Sequence, residues 1–189
     1  MNATRVTPPT DRAQDLPALH QEGFTALDAC HRGMLEAGRA LEQLLDVAAR
    51  SGFTAEARAV AARIAAFFGQ TAAQHHEHEE RHVFPALLAS RDPELARAVR
   101  HLLDDHQRLD ELWMALEPHV LAIASGYEIR LDTLASATRA FTALHRRHIR
   151  LEESLAYPAA RRELGEDGCR EMGRKMFGRE LDCRGASKS

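Results

Sequence analysis

Residues 68–86 read FGQTAAQHHEHEERHVFPA, and residues 141–159 read FTALHRRHIRLEESLAYPA. Aligned, Phe68, His75, Glu79, Glu80, Phe84, Pro85 and Ala86 fall on Phe141, His148, Glu152, Glu153, Tyr157, Pro158 and Ala159, every pair offset by 73 residues. Seven coincidences in one register mark an internal duplication of a two-helix unit. His75 and Glu79, like His148 and Glu152, are four residues apart, so each pair shares one face of a helix. Phe68 and Phe141, seven residues earlier, identify that face as the inward one.

The duplication extends to the preceding helices. His31 stands in a row with Phe24, Leu27, Met34, Leu35 and Gly38, and His106 in a row with Val99, Leu102, Leu103, Leu109 and Trp113. The helices expected are about 16–50, 54–89, 92–124 with a bend at Pro118, and 132–164 running past Pro158. Ser51-Gly52, Asp92-Pro93 and Ser125-Gly126 punctuate them. No stretch alternates with period two. The fold class is therefore all-α: an antiparallel up-down-up-down four-helix bundle over 16–164, with a possible short fifth helix near 167–177. Residues 1–15, with Pro8 and Pro9, read as a disordered arm, and 165–189 as a short helix and frayed tail.

Composition excludes several function classes. Three cysteines (Cys30, Cys169, Cys183) form no CxxC pair, which argues against a disulfide framework or structural zinc. A net charge of −3 with scattered Lys and Arg offers no stripe for nucleic acid. No long apolar run suggests a membrane span, and Met1–Asp15 lacks a secretory signal, so a cytoplasmic protein is expected. Eleven histidines, four of them at 75, 76, 78 and 82, are out of line for an ordinary domain.

The inward faces thus collect His31, His75, Glu79, His106, His148 and Glu152, with no inward lysine or arginine to neutralise the acids. An isolated buried carboxylate costs several kcal/mol even after relaxation, roughly the worth of a small domain's whole stability margin. A cation removes that cost, and mixed imidazole and carboxylate donors suit iron. The competing account is a metal-free hydrogen-bonded His–Glu core. Of the other histidines, His82 and His145 are also placed on or near the inward face, where either could touch the metal. His76, His78, His20, His101 and His119 are assigned to the edge or surface, Glu80 and Glu153 to solvent or surface ion pairs, and Cys30, Trp113 and Tyr157 to packing.

These residues resemble the hemerythrin-like, HHE cation-binding family, whose signature is a histidine on an early helix and then H-x3-E with a following F-P, both repeated. The resemblance implies two non-haem iron ions, oxo- or hydroxo-bridged, with His31, His75, His106 and His148 as terminal ligands and Glu79 and Glu152 as bridges. It departs from the oxygen carriers, which place two histidines one turn apart on the third helix; here Leu102 and Asp110 flank His106. Protein ligands and bridge would fill about ten of roughly twelve positions on two six-coordinate irons, leaving about two open. The implied function is binding or sensing of a small inorganic ligand (dioxygen, nitric oxide or peroxide), with an unidentified protein partner conceivable. The alternative is a diiron enzyme that reduces peroxide or nitric oxide or repairs damaged iron centres. A ferritin-like site is rejected: Glu79-x-x-His82 supplies one Glu-x-x-His motif, but Glu152-x-x-Leu155 fails to supply the second.

Overall fold

The computed structural model describes residues 19–127 and 129–185, with side chains described throughout except at 19–22, 133 and 177–185. The expected arm at 1–15 and the side chains of His20 and Cys183 lie outside what is described. Helix α1 spans Leu19–Ser51. The second rod comprises α2 (Ala55–Ala66), a π-helical turn (Phe67–Ala72), α3 (Ala73–His82) and α4 (Phe84–Leu88). Helix α5 spans Pro93–Ala124 and runs through Pro118. The fourth rod comprises α6 (Leu131–Leu151), a second π-helical turn (Glu152–Ala156) and α7 (Tyr157–Gly185).

Local chemistry explains the boundaries. The Thr54 side chain accepts from Ala57 N at 3.3 Å and caps the second rod, and Asp92 Oδ1 accepts from Glu94 N at 2.9 Å and caps α5. Pro93 follows that cap at the first helical position, where its missing N–H costs nothing. Asp132, expected to open the fourth rod, sits in its first turn instead; Arg130 occupies the cap. Gly165 breaks α7 at φ 62°, a left-handed conformation that favours glycine. The helix beyond it folds back against α1. There Gly23 lies close to the backbone of Gly173, and a Cβ on it would stand 2.6 Å from Met172 Cε, so the Met172 side chain would have to shift.

Packing runs in a ring, α1 to α2 to α5 to α6 and back to α1, which is the antiparallel bundle. No strand occurs among the described residues. No described helix is long and apolar enough to cross a membrane. The core divides into two apolar blocks. One surrounds Met34, Leu41, Phe68, Trp113 and Phe141; the other surrounds Phe24, Phe84, Leu102, Tyr157 and Met172. Between them lies a buried band of histidine and glutamate, walled from water by the blocks on either side.

The two π-helical turns occupy different places in the two repeats. In the first, the wide turn precedes His75; in the second, it begins at Glu152. One extra residue in a turn rotates everything after it by about 100°. After the first wide turn the residue in line with Phe68 is therefore His76, and His75 and His76 straddle the inward direction together.

Candidate metal centre

His31, His75, Glu79, His106, His148 and Glu152 are all buried, and both carboxylates are fully so. Their donor atoms form two groups, each within 4.8 Å: His31, His75, Glu79 and Glu152 in one, His106, His148, Glu79 and Glu152 in the other. Four rods contribute. The odd rods give one imidazole each, and the even rods give a His–Glu pair each. The two carboxylates belong to both groups and lie between them.

The distances exceed what hydrogen bonding can satisfy. His31 Nε2 lies 3.0 Å from His75 Nε2, 3.1 Å from Glu152 Oε2 and 3.1 Å from the Tyr157 hydroxyl. An imidazole nitrogen carries either one proton or one lone pair, so it engages one of these well, not three. On the other side, His148 Nε2 is 3.0 Å from Glu152 Oε1, and His106 Nε2 is 3.4 Å from Glu79 Oε2. Yet His106 Nε2, His148 Nε2, Glu79 Oε2 and both Glu152 oxygens lack a hydrogen bond of acceptable geometry. Buried donor atoms converging on one space with no hydrogen bond of acceptable geometry among them are what a cation satisfies. Among the described residues, no lysine or arginine pairs with either carboxylate. The donor set fits an iron-type ion.

Outside this shell, the Nδ1 atoms face a second layer. His31 Nδ1 bonds Glu153 Oε1 at 3.1 Å, and His106 Nδ1 bonds Glu80 Oε1 at 2.7 Å. Asp105 Oδ2 lies 3.8 Å from His148 Nδ1, while its Oδ1 accepts from Arg147 Nη2 at 2.7 Å. The Cys30 thiol contributes to the environment of His75. Carboxylates behind the imidazoles fix ring orientation and leave Nε2 free to point inward, the usual arrangement around a metal.

Electrostatics agrees. Burial opposes protonation of His75, but Glu79 overrides it and raises its pKa to about 10. For His106, burial is likewise overcome by Glu152 and Glu79, again to about 10. His148 is raised against burial by Asp105 and Glu152. Burial pushes Glu79 up, yet His75 and His106 hold it well below the usual carboxylate range. Glu152, opposed by burial and by Glu79, is lowered by His106, His148 and His31. In the metal-free chain, protons on His75 and His106 stand in for the cation.

Several assignments made from sequence change. His76 is not at the edge: it is buried, its ring stacks on His106 at 4.0 Å, and its donor atom groups with those of His106 and His148. His76 is absent from both groups that contain the carboxylates. Its inward turn follows from the wide turn at Phe67–Ala72, which periodicity cannot reveal. His145 is buried against Phe141, with ring centroids 4.5 Å apart, and belongs to none of the donor groups. His82 is half-buried and faces the His78 ring, and Leu155 is 36% exposed, so neither enters the band. Glu80 and Glu153 are partly exposed but bond the site histidines. Tyr157 is more than packing, since its hydroxyl donates to Glu79 Oε1 at 2.5 Å.

The missed layer did carry a signal. Glu80 and Glu153 share the 73-residue offset, and Asp105 lies 75 residues after Cys30 just as His106 lies 75 after His31. Each pair plays the same part in its own half. Phe84 and Tyr157 repeat the pattern, with Phe84 stacking on His106 at 5.5 Å and Tyr157 on His31 at 5.3 Å.

The model of the hemerythrin HHE cation-binding domain matches residues 22–160. The chain belongs to the hemerythrin family. That span takes in all six inward residues and both repeats. A Haemophilus influenzae protein named only as uncharacterized is 31% identical over 162 residues, covering 86% of this chain and 92% of its own length. As a hemerythrin-family HHE domain, the chain has cation binding as its general function.

Proposed function

We propose that this hemerythrin-family chain holds two non-haem iron ions and binds or senses a small ligand: dioxygen, nitric oxide or peroxide. The observation that carries the reading is the pair of four-donor groups sharing Glu79 and Glu152. Shared carboxylates between two histidine pairs suit two adjacent cations, each balancing part of the buried negative charge. His31 and His75 would hold one ion and His106 and His148 the other, with Glu79 and Glu152 within reach of both. Iron supplies reversible one-electron chemistry and affinity for small oxygen and nitrogen ligands. Glu153, Glu80 and Asp105 orient the imidazoles from behind, and the apolar blocks exclude bulk water.

One observation favours a second reading, reductive catalysis on peroxide or nitric oxide. The Tyr157 hydroxyl stands within hydrogen-bond distance of both His31 Nε2 and Glu79 Oε1, an O–H at the centre of the site that can relay a proton between them, although burial and the Glu79 carboxylate hold its pKa well above the ordinary phenol value and make it a weak acid in itself. The test is to load the protein with iron(II) without oxygen, add each ligand in turn, and follow the optical spectrum and ligand consumption. Reversible spectral change without consumption supports binding or sensing. Sustained consumption with reductant establishes the enzyme. No change with any ligand overturns both.

A further inference from the structure

Three polar side chains are short of partners on the α5 side of the site, and they border one cavity. His76 is buried with both ring nitrogens unbonded, His145 is buried with no more than a weak bond from its ring to the Phe141 carbonyl, and the buried Trp113 Nε1 has no partner. All three line a cavity of about 20 Å³ whose apolar walls include Phe68 and Phe141. Asp110, exposed at the surface of α5, stands at its rim. A second cavity of about 10 Å³ lies on the other side of His145 and shares Phe68 and Phe141.

Leaving buried donors and acceptors unpaired is unfavourable, so three around one space call for an occupant. The larger cavity exceeds the roughly 10–15 Å³ that one water needs, and it admits nothing of many atoms. An apolar gas would leave the indole N–H and both imidazoles unsatisfied. An anion would have to pass the Asp110 carboxylate. A small neutral molecule with its own protons meets both conditions, as water does, and among dioxygen, nitric oxide and peroxide only hydrogen peroxide is such a molecule. The cavity also adjoins the metal site, because His76 stacks on His106 at 4.0 Å and lies 5.7 Å from the His148 ring.

We propose that this cavity is a holding pocket for hydrogen peroxide, bound by Trp113, His76 and His145 beside the His106–His148 half of the site. The pocket selects peroxide from the ligands of the function proposed above and rests on that reading for its purpose, though its occupancy does not require metal.

Trp113 is the chain's single tryptophan, so its indole N–H gives one assignable resonance. Hydrogen peroxide is titrated into zinc-loaded and into metal-free protein, and catalase then removes it. The proposal expects a saturable indole shift in both forms that reverses with catalase. His145→Leu should weaken binding about tenfold, His145→Gln should recover part of the loss, and zinc content should stay unchanged in each. An absent or irreversible shift overturns the pocket, as does an equal response to dioxygen or azide. Loss of zinc on replacing His76 with Gln also overturns it, since His76 would then be a metal ligand. Failure of the wild-type protein to take up any metal sinks the diiron reading instead, and the metal-free titration still decides the pocket.

Discussion

Replacing Tyr157 with Phe removes one oxygen from the centre of the site and leaves the ring. That ring packs between Phe24, at 5.4 Å, and His31, at 5.3 Å, contacts that phenylalanine reproduces. The change also restores the identity of the two repeats, because Phe84 holds the matching position against His106. What disappears is the hydrogen bond from the hydroxyl to Glu79 Oε1 at 2.5 Å and the contact with His31 Nε2 at 3.1 Å. A hydrogen bond to an ionised group is worth about 1.5–3 kcal/mol, and at about 1.4 kcal/mol per tenfold this corresponds to roughly 10- to 150-fold in metal affinity. Loss of an outer partner around a metal site independently gives about 10–100-fold. The assay is competition for iron(II) or zinc against a chelator of known affinity, with urea unfolding of the metal-free protein alongside. Affinity within twofold of wild type, together with unchanged stability, would refute the assignment of Tyr157 as the group that positions Glu79.

Two further outcomes follow from the same geometry. Glu80→Gln and Glu153→Gln should weaken metal binding by similar factors, about 10–100-fold each, because the carboxylates hold His106 and His31 in equivalent ways; equal affinity of both variants with wild type, measured by chelator competition, would show the outer layer to be incidental. The metal-free protein should be most stable near pH 6.5. His75 and His106 have folded pKa values raised to about 10, so their stabilisation is complete below about 6.5 and fades as pH rises towards 10. Burial, with like charge from neighbouring histidines, lowers His76 and brings His145 down to about 3, so both cost stability as pH falls below about 6.5. Metal should abolish the alkaline decline, because ligating imidazoles are already deprotonated. Thermal melts at pH 6 and 9 check this, and a metal-free chain more stable at pH 9 contradicts it.

The bundle was readable because burial on one helix face enforces the 3.6-residue period, as in the rows containing His31 and His106. The six inward residues were readable because duplication wrote the same chemistry twice, at His75–Glu79 and at His148–Glu152. What escaped periodicity was whatever depends on a local departure from it. The wide turn at Phe67–Ala72 has no counterpart in α6, and it alone brings His76 inside. Asp105 escaped for another reason: it sits one residue from His106, about 100° round the helix, and serves a different rod's histidine. Such cross-rod partnerships follow from packing angles rather than from spacing along the chain.

Metal analysis of the freshly purified protein, expressed as ions per chain, bears most directly on the paired donor groups. The account predicts about two iron ions per chain, falling sharply in His75→Ala and His148→Ala but not in the variant of exposed His119. A chain that purifies without transition metal, and takes none up when iron(II) is supplied anaerobically, contradicts it.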